Sequence, residues 1–437
     1  MQFKQSLIMA AAVLAFGVAS AAPNASRIAI SSGASAVKGN YTLGLQSLCG
    51  SAGGVFTTFN SGSNYTTHVC ANSTVTAGSG GTYVSKPNSD FINFAGTAFA
   101  EVRLAVANGS FTAVCLINGW PGGSCPAADQ YVDPAVGASS LGAPPAGSIA
   151  VGGVLDVEPS AWPATVLSAS GPTPAGASLG VAQAFGLAVS SSLYTKLFNA
   201  QLSTGHATVS KPIPSTCTVG NTASLECIPT VSKAQMATIM AGNEFNTAGA
   251  NGVGFLTGDA SQNGQTLIYA RRVDTSGTQA AAQVYFLGLP CMKNALPINA
   301  GGAVYGALDF RNLGGTGDVR AVLNGAGDAI GVMSGENNQS GQSWRWVRIG
   351  GAALGENAAP ASAGITNSAT MLNGQYDFWF EATYAASSQP GAAAFWTALS
   401  GALNTLAAPV GLINAAQLSA SGSFQKAGAT CQLPVGN

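Results

Sequence analysis

The chain carries few charges. Lysine and arginine together number 16, and aspartate and glutamate number 17, so charged residues are 8% of the 437 positions. A typical soluble domain has about 25%. The formal net charge of −1 excludes the basic surface of a nucleic-acid-binding protein and the polybasic patch that attracts a protein to anionic membranes. Because charges are so scarce, each one is a candidate for a specific role.

Histidines and long apolar runs are scarce as well. His68 and His206 are the only histidines, and no two cysteines have the C-x-x-C spacing of zinc or redox motifs, so we expect no metal site and no cofactor. The apolar run from Leu7 to Val18 is too short to span a bilayer. It is followed by Ala19-Ser20-Ala21, a small-residue cleavage pattern. Residues 1–21 are therefore predicted to be a signal peptide, and the mature protein to be periplasmic or secreted, without a transmembrane segment.

The chain contains eight cysteines, an even number, which favours disulfides in a protein predicted to be exported. Sequential pairing is the simplest connectivity, although the sequence alone permits others. The predicted pairs are Cys49 with Cys70, Cys115 with Cys125, Cys217 with Cys227, and Cys291 with Cys431.

Segments with the pattern of strands alternate with segments that have helical spacing. Strands are predicted at Arg27–Ile30, Asp90–Thr97, Phe185–Val189, Thr266–Arg271, Ala329–Met333 and Phe378–Glu381. Helices are predicted at Tyr41–Leu48, Val231–Met240 and Gln279–Phe286. Alternation of this kind indicates an α/β fold with parallel sheets, and the length of the chain favours two domains.

The segment Arg272-Val273-Asp274-Thr275-Ser276-Gly277-Thr278 lies between a predicted strand and a predicted helix. Ser276 or Thr278 can cap the helix, Gly277 lets the backbone approach a ligand, and the free N–H groups of the first turn attract an anion. Arg272 adds a fork of donors that matches a carboxylate or a tetrahedral oxyanion. The segment therefore predicts an anion site, and a capped helix beside a surface arginine is the alternative.

Several segments, read in order, resemble the periplasmic phosphate-binding proteins of ABC transporters, which have the type II solute-binding fold. Arg272–Thr278 matches the Arg-x-Asp-x-Ser-Gly-Thr ligand motif of that family at every fixed position. Ile30–Ala36 resembles its first ligand loop, and Asp90–Thr97 resembles its strand with the second ligand loop. Asp318–Val332 and Gly374–Tyr376 are similar to two later segments of the family. The resemblance implies an α/β fold of two domains, with mixed, mostly parallel sheets and a ligand cleft between the domains.

The resemblance also implies domain bounds and ligand residues. Domain I would comprise residues 22–184 and 371–437, and domain II residues 185–370. Asp274 would orient the arginine of the motif, and Ala98 stands where the family has an acidic proton acceptor. The implied ligand residues are Arg272, Ser276, Gly277, Thr278, Ser35, Ala36 and Thr97.

The function implied by the resemblance is that of a monomeric solute-binding protein, not an enzyme, that binds a small oxyanion such as phosphate and has an ABC permease as its partner. The second hypothesis is a surface or matrix protein that keeps the fold without a role in transport. The low charge, the glycine-rich insertions and the loss of the acidic acceptor favour this alternative.

Two further patterns have competing interpretations. Gly176-Ala177-Ser178-Leu179-Gly180 matches the G-x-S-x-G elbow of serine hydrolases, but prolines precede it where a buried strand is required, so we expect a chance match. Asp156 and Glu158 would lie on one face of a strand and could form an acid/base pair. Pro159 places them at the strand end, where we expect solvated carboxylates.

Overall fold

The computed structural model of the chain describes residues 27–78, 92–94, 97–107, 109–119, 130–162, 166, 176–202, 213–221, 224–242, 252–291, 304–352, 369–406 and 412–414. The predicted signal peptide and His206 lie outside these residues, as do the predicted disulfide partners Cys125 and Cys431.

The described strands are β1 Ile28–Gly33, β2 Val55–Ser61, β3 Tyr65–Ala71, β4 Ile92–Phe94, β5 Thr97–Phe99, β6 Glu101–Ala105, β7 Tyr131–Val132, β8 Leu141–Gly142, β9 Ile149–Leu155, β10 Ala177–Val189, β11 Thr230–Val231, β12 Leu267–Arg272, β13 Val304–Tyr305, β14 Leu308–Leu313, β15 Asp328–Ser334, β16 Arg345–Ile349, β17 Trp379–Ala386 and β18 Leu412–Asn414. The described helices are α1 Lys38–Ser51, α2 Thr112–Gly119, α3 Ser191–Gln201, α4 Lys233–Ala241, α5 Gly252–Thr257, α6 Gly277–Ala282, α7 Thr316–Leu323, α8 Ala369–Leu372 and α9 Ala392–Asn404. A π-helical turn, Gln283–Leu287, continues α6.

Fourteen of the described strands form one mixed sheet. Eleven of them follow the order β13-β14-β12-β15-β10-β17-β9-β1-β6-β3-β2, while β16 and β18 each pair with β10, and β11 pairs with β16. The predicted α/β fold with a mixed sheet is therefore confirmed. The expectation of mostly parallel pairing is wrong for the described strands. Parallel pairs join β1 to β6 and β9, β12 to β14 and β15, and β11 to β16. The long strand β10 is antiparallel to all four of its partners, β15, β16, β17 and β18.

Local sequence signals account for several of these elements. Helix α4 begins at Ser232, whose side chain accepts from the Gln235 N–H while the Gln235 side chain accepts from the Ser232 N–H, which is a capping box. The helix ends at Gly242, which has a φ of +71° and the left-handed conformation that glycine adopts without steric cost. Strands β1 and β12 are buried along their whole length. Strands that are buried on both faces contain runs of apolar residues in their sequence. The runs Ile28–Ile30 and Leu267–Ala270 are the pattern that predicted these two strands.

Strand β10 connects two parts of the sheet. Its residues up to Ala184 pair with β17 and β18, and its residues from Phe185 onward pair with β15 and β16. The Phe185 N–H donates to the carbonyl of Phe378, just before β17, at 3.0 Å. The Tyr376 hydroxyl donates to the Phe185 carbonyl. The change of partner falls between Ala184 and Phe185. We refer to residues 27–184 and 371–414 as the first half, and to residues 185–370 as the second half.

Two large apolar clusters form the core. One belongs to the first half, where Tyr41 and Leu45 of α1 pack with Phe395, Trp396 and Leu399 of α9 against the sheet. The other contains residues of both halves and follows the centre of the sheet. The two halves are thus joined by shared apolar packing as well as by strands.

Two of the predicted disulfides are present: Cys49 with Cys70, and Cys217 with Cys227. Cys291 is disulfide-bonded too, but its predicted partner lies outside the described residues. Cys115 lies in α2, and its predicted partner is likewise outside them. Within the described part of the chain, no helix is long and apolar enough to cross a membrane, and no three potential metal ligands of the His, Cys, Asp or Glu type form a group.

The structure bears on two further sequence interpretations. Within Asp90–Thr97, the described strand β4 pairs with β5 in a separate two-stranded sheet. The strand beside β1 in the main sheet is β6, Glu101–Ala105. Ser178 lies inside β10 and not at the strand-to-helix turn of a nucleophile elbow, so the G-x-S-x-G match is a coincidence of composition.

Candidate functional site

A cavity of about 120 Å³ lies between the two halves. It lies beyond the carboxyl end of β12, where ligands of α/β sheets are commonly bound. Most of the side chains that line it are polar, and two are arginines. The lining residues are Ser35, Ser63, Asn64 and Val106 of the first half, and Arg272, Gly315, Thr316, Gly317, Arg320, Glu336 and Asn337 of the second half.

Arg272 ends strand β12 and is 3% exposed. Its Nη1 donates to the Thr316 hydroxyl at 2.8 Å, and its Nη2 donates to the Gly314 carbonyl at 3.0 Å. Its Nε is buried and has no hydrogen-bond partner among the described residues. Burial lowers the pKa of Arg272, and the carboxyl groups of Asp156, Asp318 and Glu336 oppose that effect. The result is a buried guanidinium in the cavity wall whose two hydrogen bonds go to uncharged oxygens.

Helix α7 presents its first turn to the same cavity. Gly315 precedes the helix, and its N–H donates to Asp318 Oδ2 at 2.8 Å, which fixes the helix start. The Thr316 hydroxyl accepts from Arg272 and therefore keeps its own proton for another acceptor. Arg320 lies one turn further on the same helix face and lines the cavity as well. The positive end of the helix dipole and two arginines thus face one space.

Glu336 contributes a carboxyl group to the cavity wall, two residues after strand β15. Its Oε1 accepts from the Ser334 hydroxyl at 2.7 Å and from Asn337 Nδ2 at 3.2 Å. Gln183 Nε2 donates weakly to Oε2 at 3.4 Å. Burial raises the pKa of Glu336 to about 8, the Ser334 hydroxyl opposes the shift, and the Asp156 carboxyl adds to it. At neutral pH this carboxyl group is therefore mostly protonated.

Asp156 is buried, with 2% of its surface exposed, although the sequence placed it among solvated carboxylates. The reason is that β9 lies between β1 and β17, and Pro159 begins a buried 3₁₀ turn instead of a surface loop. Burial raises the pKa of Asp156 to about 7, while Arg272 and Ser110 oppose the shift. The Asp156 carboxyl and the Ser110 hydroxyl both lie within 2.4 Å of where a Cβ on Gly277 would be. The carboxyl group therefore packs against the first residue of α6.

The structure brings only some of the predicted ligand residues together. Arg272 and Ser35 line the cavity. Ser276, Gly277 and Thr278 are buried at the start of α6, next to Asp156, and are not among the cavity residues. Ala36 is buried and does not line the cavity either. Thr97 lies in the separate β4–β5 hairpin.

Asp274 does not orient Arg272 as the resemblance implied. It forms an ion pair with Arg271. The physical reason is that successive residues of a strand point to opposite faces, so the two arginines at the end of β12 are directed apart. The Asp274 side chain is 39% exposed and lies next to Arg271, with which it is paired.

Sequence reasoning missed several residues of the site. Thr316 and Arg320 could have been found from a weak signal, because Asp318 three residues after Gly315 is typical of a helix start. Glu336 and Asn337 follow a strand in a polar loop that carries no comparable signal. Ser110 becomes relevant only because its loop contacts the loop before α6, where the Phe111 N–H donates to the Thr275 carbonyl at 3.0 Å.

Comparison with solved structures shows a similarity of fold at low sequence identity. No family profile matches the chain, and no curated protein matches it. A crystal structure described as a phosphate ABC transporter substrate-binding protein with bound phosphate, from Clostridium perfringens, is similar over 85% of this chain and 92% of its own. The sequence identity is 11% and the TM-score is 0.42.

Proposed function

We propose that the chain is an exported solute-binding protein that holds a small oxyanion in the cavity between its two halves. The observation that carries this proposal is the state of Arg272. Its guanidinium is buried at the cavity wall, its hydrogen bonds go to a hydroxyl and a carbonyl, and no described carboxylate forms an ion pair with it. Burying a charge is costly unless the charge is paired. An anion in the cavity would supply the missing pair.

The remaining lining residues support an anion of small size. Arg320 adds a second cation, and the Thr316 hydroxyl and the first turn of α7 add neutral donors. Ser35 brings a hydroxyl from the first half, so a ligand would contact both halves. The cavity of about 120 Å³ is smaller than the ~300 Å³ at which pockets for drug-sized ligands begin. A single inorganic oxyanion or a short carboxylate is therefore the proposed ligand class, with an ABC permease as the proposed partner.

The test is a thermal-shift screen with sulfate, phosphate, arsenate and acetate at millimolar concentration and constant ionic strength. A ligand that binds only the folded state raises the melting temperature, and the rise grows with ligand concentration. Arg320→Ala removes a cation from the cavity while leaving the bonds of Arg272 in place. We expect it to weaken binding by about 10-fold to 100-fold, since a hydrogen bond to a charged group contributes about 1.5–3 kcal/mol.

The matched control is Arg311→Ala, which removes an exposed arginine that pairs with Asp309 on β14, outside the cavity. It should bind anions as the unmodified protein does. A flat melting temperature for the unmodified protein with all four anions would refute the proposed function.

A specific observation also favours the second candidate, a surface or matrix protein without a role in transport. Asp156 places a carboxyl group of the chain itself against Gly277, at the predicted anion cradle. The same screen separates the two functions if Asp156→Asn is included. Binding by the unmodified protein supports the solute-binding function, whereas no binding by either protein supports the structural role.

A further inference from the structure

We propose that Glu336 determines which oxyanion the cavity accepts: its carboxyl group donates a hydrogen bond to the ligand, so the site selects an oxyanion without a proton of its own, of the sulfate class, over phosphate at neutral pH. This inference rests on the proposed anion-binding function and names the substrate class of the same site.

The hydrogen bonds of Glu336 leave one oxygen free to carry the proton. Oε1 already accepts from the Ser334 hydroxyl at 2.7 Å and from Asn337 Nδ2 at 3.2 Å. The weak contact to Oε2 comes from Gln183 Nε2 at 3.4 Å, and that group also donates to the Ala184 carbonyl at 2.8 Å. Oε2 is therefore the oxygen with spare capacity. When it is protonated, it becomes a donor in the cavity wall.

Burial favours the neutral form of Glu336, and the neighbouring charges do not reverse that preference. Within the described part of the chain, no cation lies at ion-pair distance from it, and all its hydrogen-bond donors are uncharged. Asp156 raises its pKa, and Arg320 lowers it by a smaller amount than burial raises it. Arg272 is the other charged group that interacts with it. The balance leaves the pKa of Glu336 at about 8, so the carboxyl is a donor at neutral pH.

The other polar groups of the cavity reinforce this selection. Arg272 and Arg320 can only donate. The Thr316 hydroxyl already accepts from Arg272, so its proton points elsewhere. Glu336 is the only carboxyl group among the described lining residues. An anion that brings its own hydroxyl, as phosphate does at neutral pH, finds only neutral acceptors there, such as the oxygens of Ser35, Ser63 and Asn64. A hydrogen bond to a neutral acceptor is weaker than one to a carboxylate, so the hydroxyl of phosphate gains less than it would beside an ionised Glu336.

The selection should reverse with pH. When Glu336 ionises, its negative charge lies beside the bound anion, which weakens sulfate binding and supplies an acceptor for a protonated oxyanion. Sulfate does not change protonation near neutrality, so its affinity reports on the protein alone. If sulfate binds only the form with Glu336 protonated, its affinity should fall roughly 30-fold between pH 6.5 and pH 9.5.

The experiment is isothermal titration calorimetry with sodium sulfate and sodium phosphate at pH 6.5 and pH 9.5 and constant ionic strength. The proteins are the unmodified chain, Glu336→Gln and, as control, Glu226→Gln, which changes an exposed glutamate outside the cavity. At pH 6.5 the unmodified protein should bind sulfate more tightly than phosphate. Glu336→Gln keeps a neutral donor, so its sulfate affinity should stay within about threefold of the unmodified value at pH 6.5 and should fall much less than that of the unmodified protein at pH 9.5. The fall that remains reflects ionisation of Asp156, whose pKa burial raises to about 7. The control should follow the unmodified protein.

Three outcomes would overturn the inference. One is sulfate affinity in the unmodified protein that does not change with pH. Another is preference for phosphate at pH 6.5 that disappears in Glu336→Gln, since Glu336 would then act as an ionised acceptor. If this variant does not fold, the same pH series is measured on Asp156→Asn, which removes the other buried carboxyl group that ionises in this range; a fall in sulfate affinity that persists there supports the role of Glu336, and its disappearance overturns it. The third outcome, no binding of either anion at either pH, refutes the anion-binding function itself, whereas binding with the wrong pattern refutes the specificity alone.

Discussion

Replacing Asp156 with asparagine should make the protein more stable at neutral and alkaline pH. Asparagine has nearly the shape of aspartate and cannot ionise. The carboxyl group of Asp156 is 2% exposed and lies between Arg272 and the start of α6. The substitution therefore removes a buried titratable group with little change in packing.

The magnitude follows from the difference between the folded and unfolded pKa values. Burial raises the pKa of Asp156 from 3.8 to about 7. Between these pH values the folded protein holds a proton that the unfolded chain has released, so the free energy of unfolding falls as the pH rises. The accumulated loss is about 4 kcal/mol, at about 1.4 kcal/mol per pH unit. Above about pH 7 Asp156 is ionised in both the folded and the unfolded protein, so the free energy of unfolding falls no further.

The assay is urea denaturation of the unmodified protein and Asp156→Asn at pH 4.5, 6, 7 and 8. The stability difference in favour of the variant should grow from about 1 kcal/mol at pH 4.5 to about 4 kcal/mol at pH 8. Glu336 is present in both proteins, so its titration largely cancels in the difference. Glu158→Gln changes a partly exposed carboxyl two residues away and should shift stability by no more than about 0.5 kcal/mol at any pH. A difference that is the same at every pH would refute the reasoning.

Two further predictions concern stability. Removing the disulfide with Cys49→Ala and Cys70→Ala opens a loop with a sequence separation of 21, which should cost about 3 kcal/mol in urea denaturation. A loss of stability below about 1 kcal/mol would contradict the expectation that this disulfide stabilises the protein by closing the loop. Gly277→Ala would place a Cβ 2.4 Å from the Asp156 carboxyl and should cost about 1–3 kcal/mol. Gly401→Ala, on an open face of α9, should gain up to about 1 kcal/mol, and equal melting temperatures for the two variants would contradict the packing described.

Local patterns located the part of the site that lies on a buried strand. Thr266–Arg271 is an uninterrupted strand-like run, so Arg272 was expected at its end, and the structure places it there. The small-residue turn after β1 likewise indicated Ser35. The strand could be predicted because a continuous buried strand and the turn after it are properties of a few adjacent residues, whereas the ligand roles of Arg272 and Ser35 remain predictions.

The rest of the site depends on contacts between distant segments. Asp156 looked solvated because a proline follows closely, and its burial arises only when β9 is enclosed by β1 and β17. Glu336 lies in a polar loop and joins the cavity because β15 pairs with both β10 and β12. The scarcity of acidic residues was the one usable signal. It made each carboxyl group a candidate for a specific role, but it gave no information on which carboxyl groups would lie near Arg272.

The contact at Phe185 has a mechanical consequence. The two chain crossings between the halves are tied to each other there, through the bonds of Phe185 with Phe378 and Tyr376, and an aromatic stack of Phe378 with Tyr285 adds to the joint. Hydrogen bonds and ring stacking between the two connections resist rotation of one half against the other. If the proposed anion draws the cavity walls together, part of its binding free energy is therefore spent on bending this joint. The stiffness of two paired strands would then help to set how long a ligand stays bound.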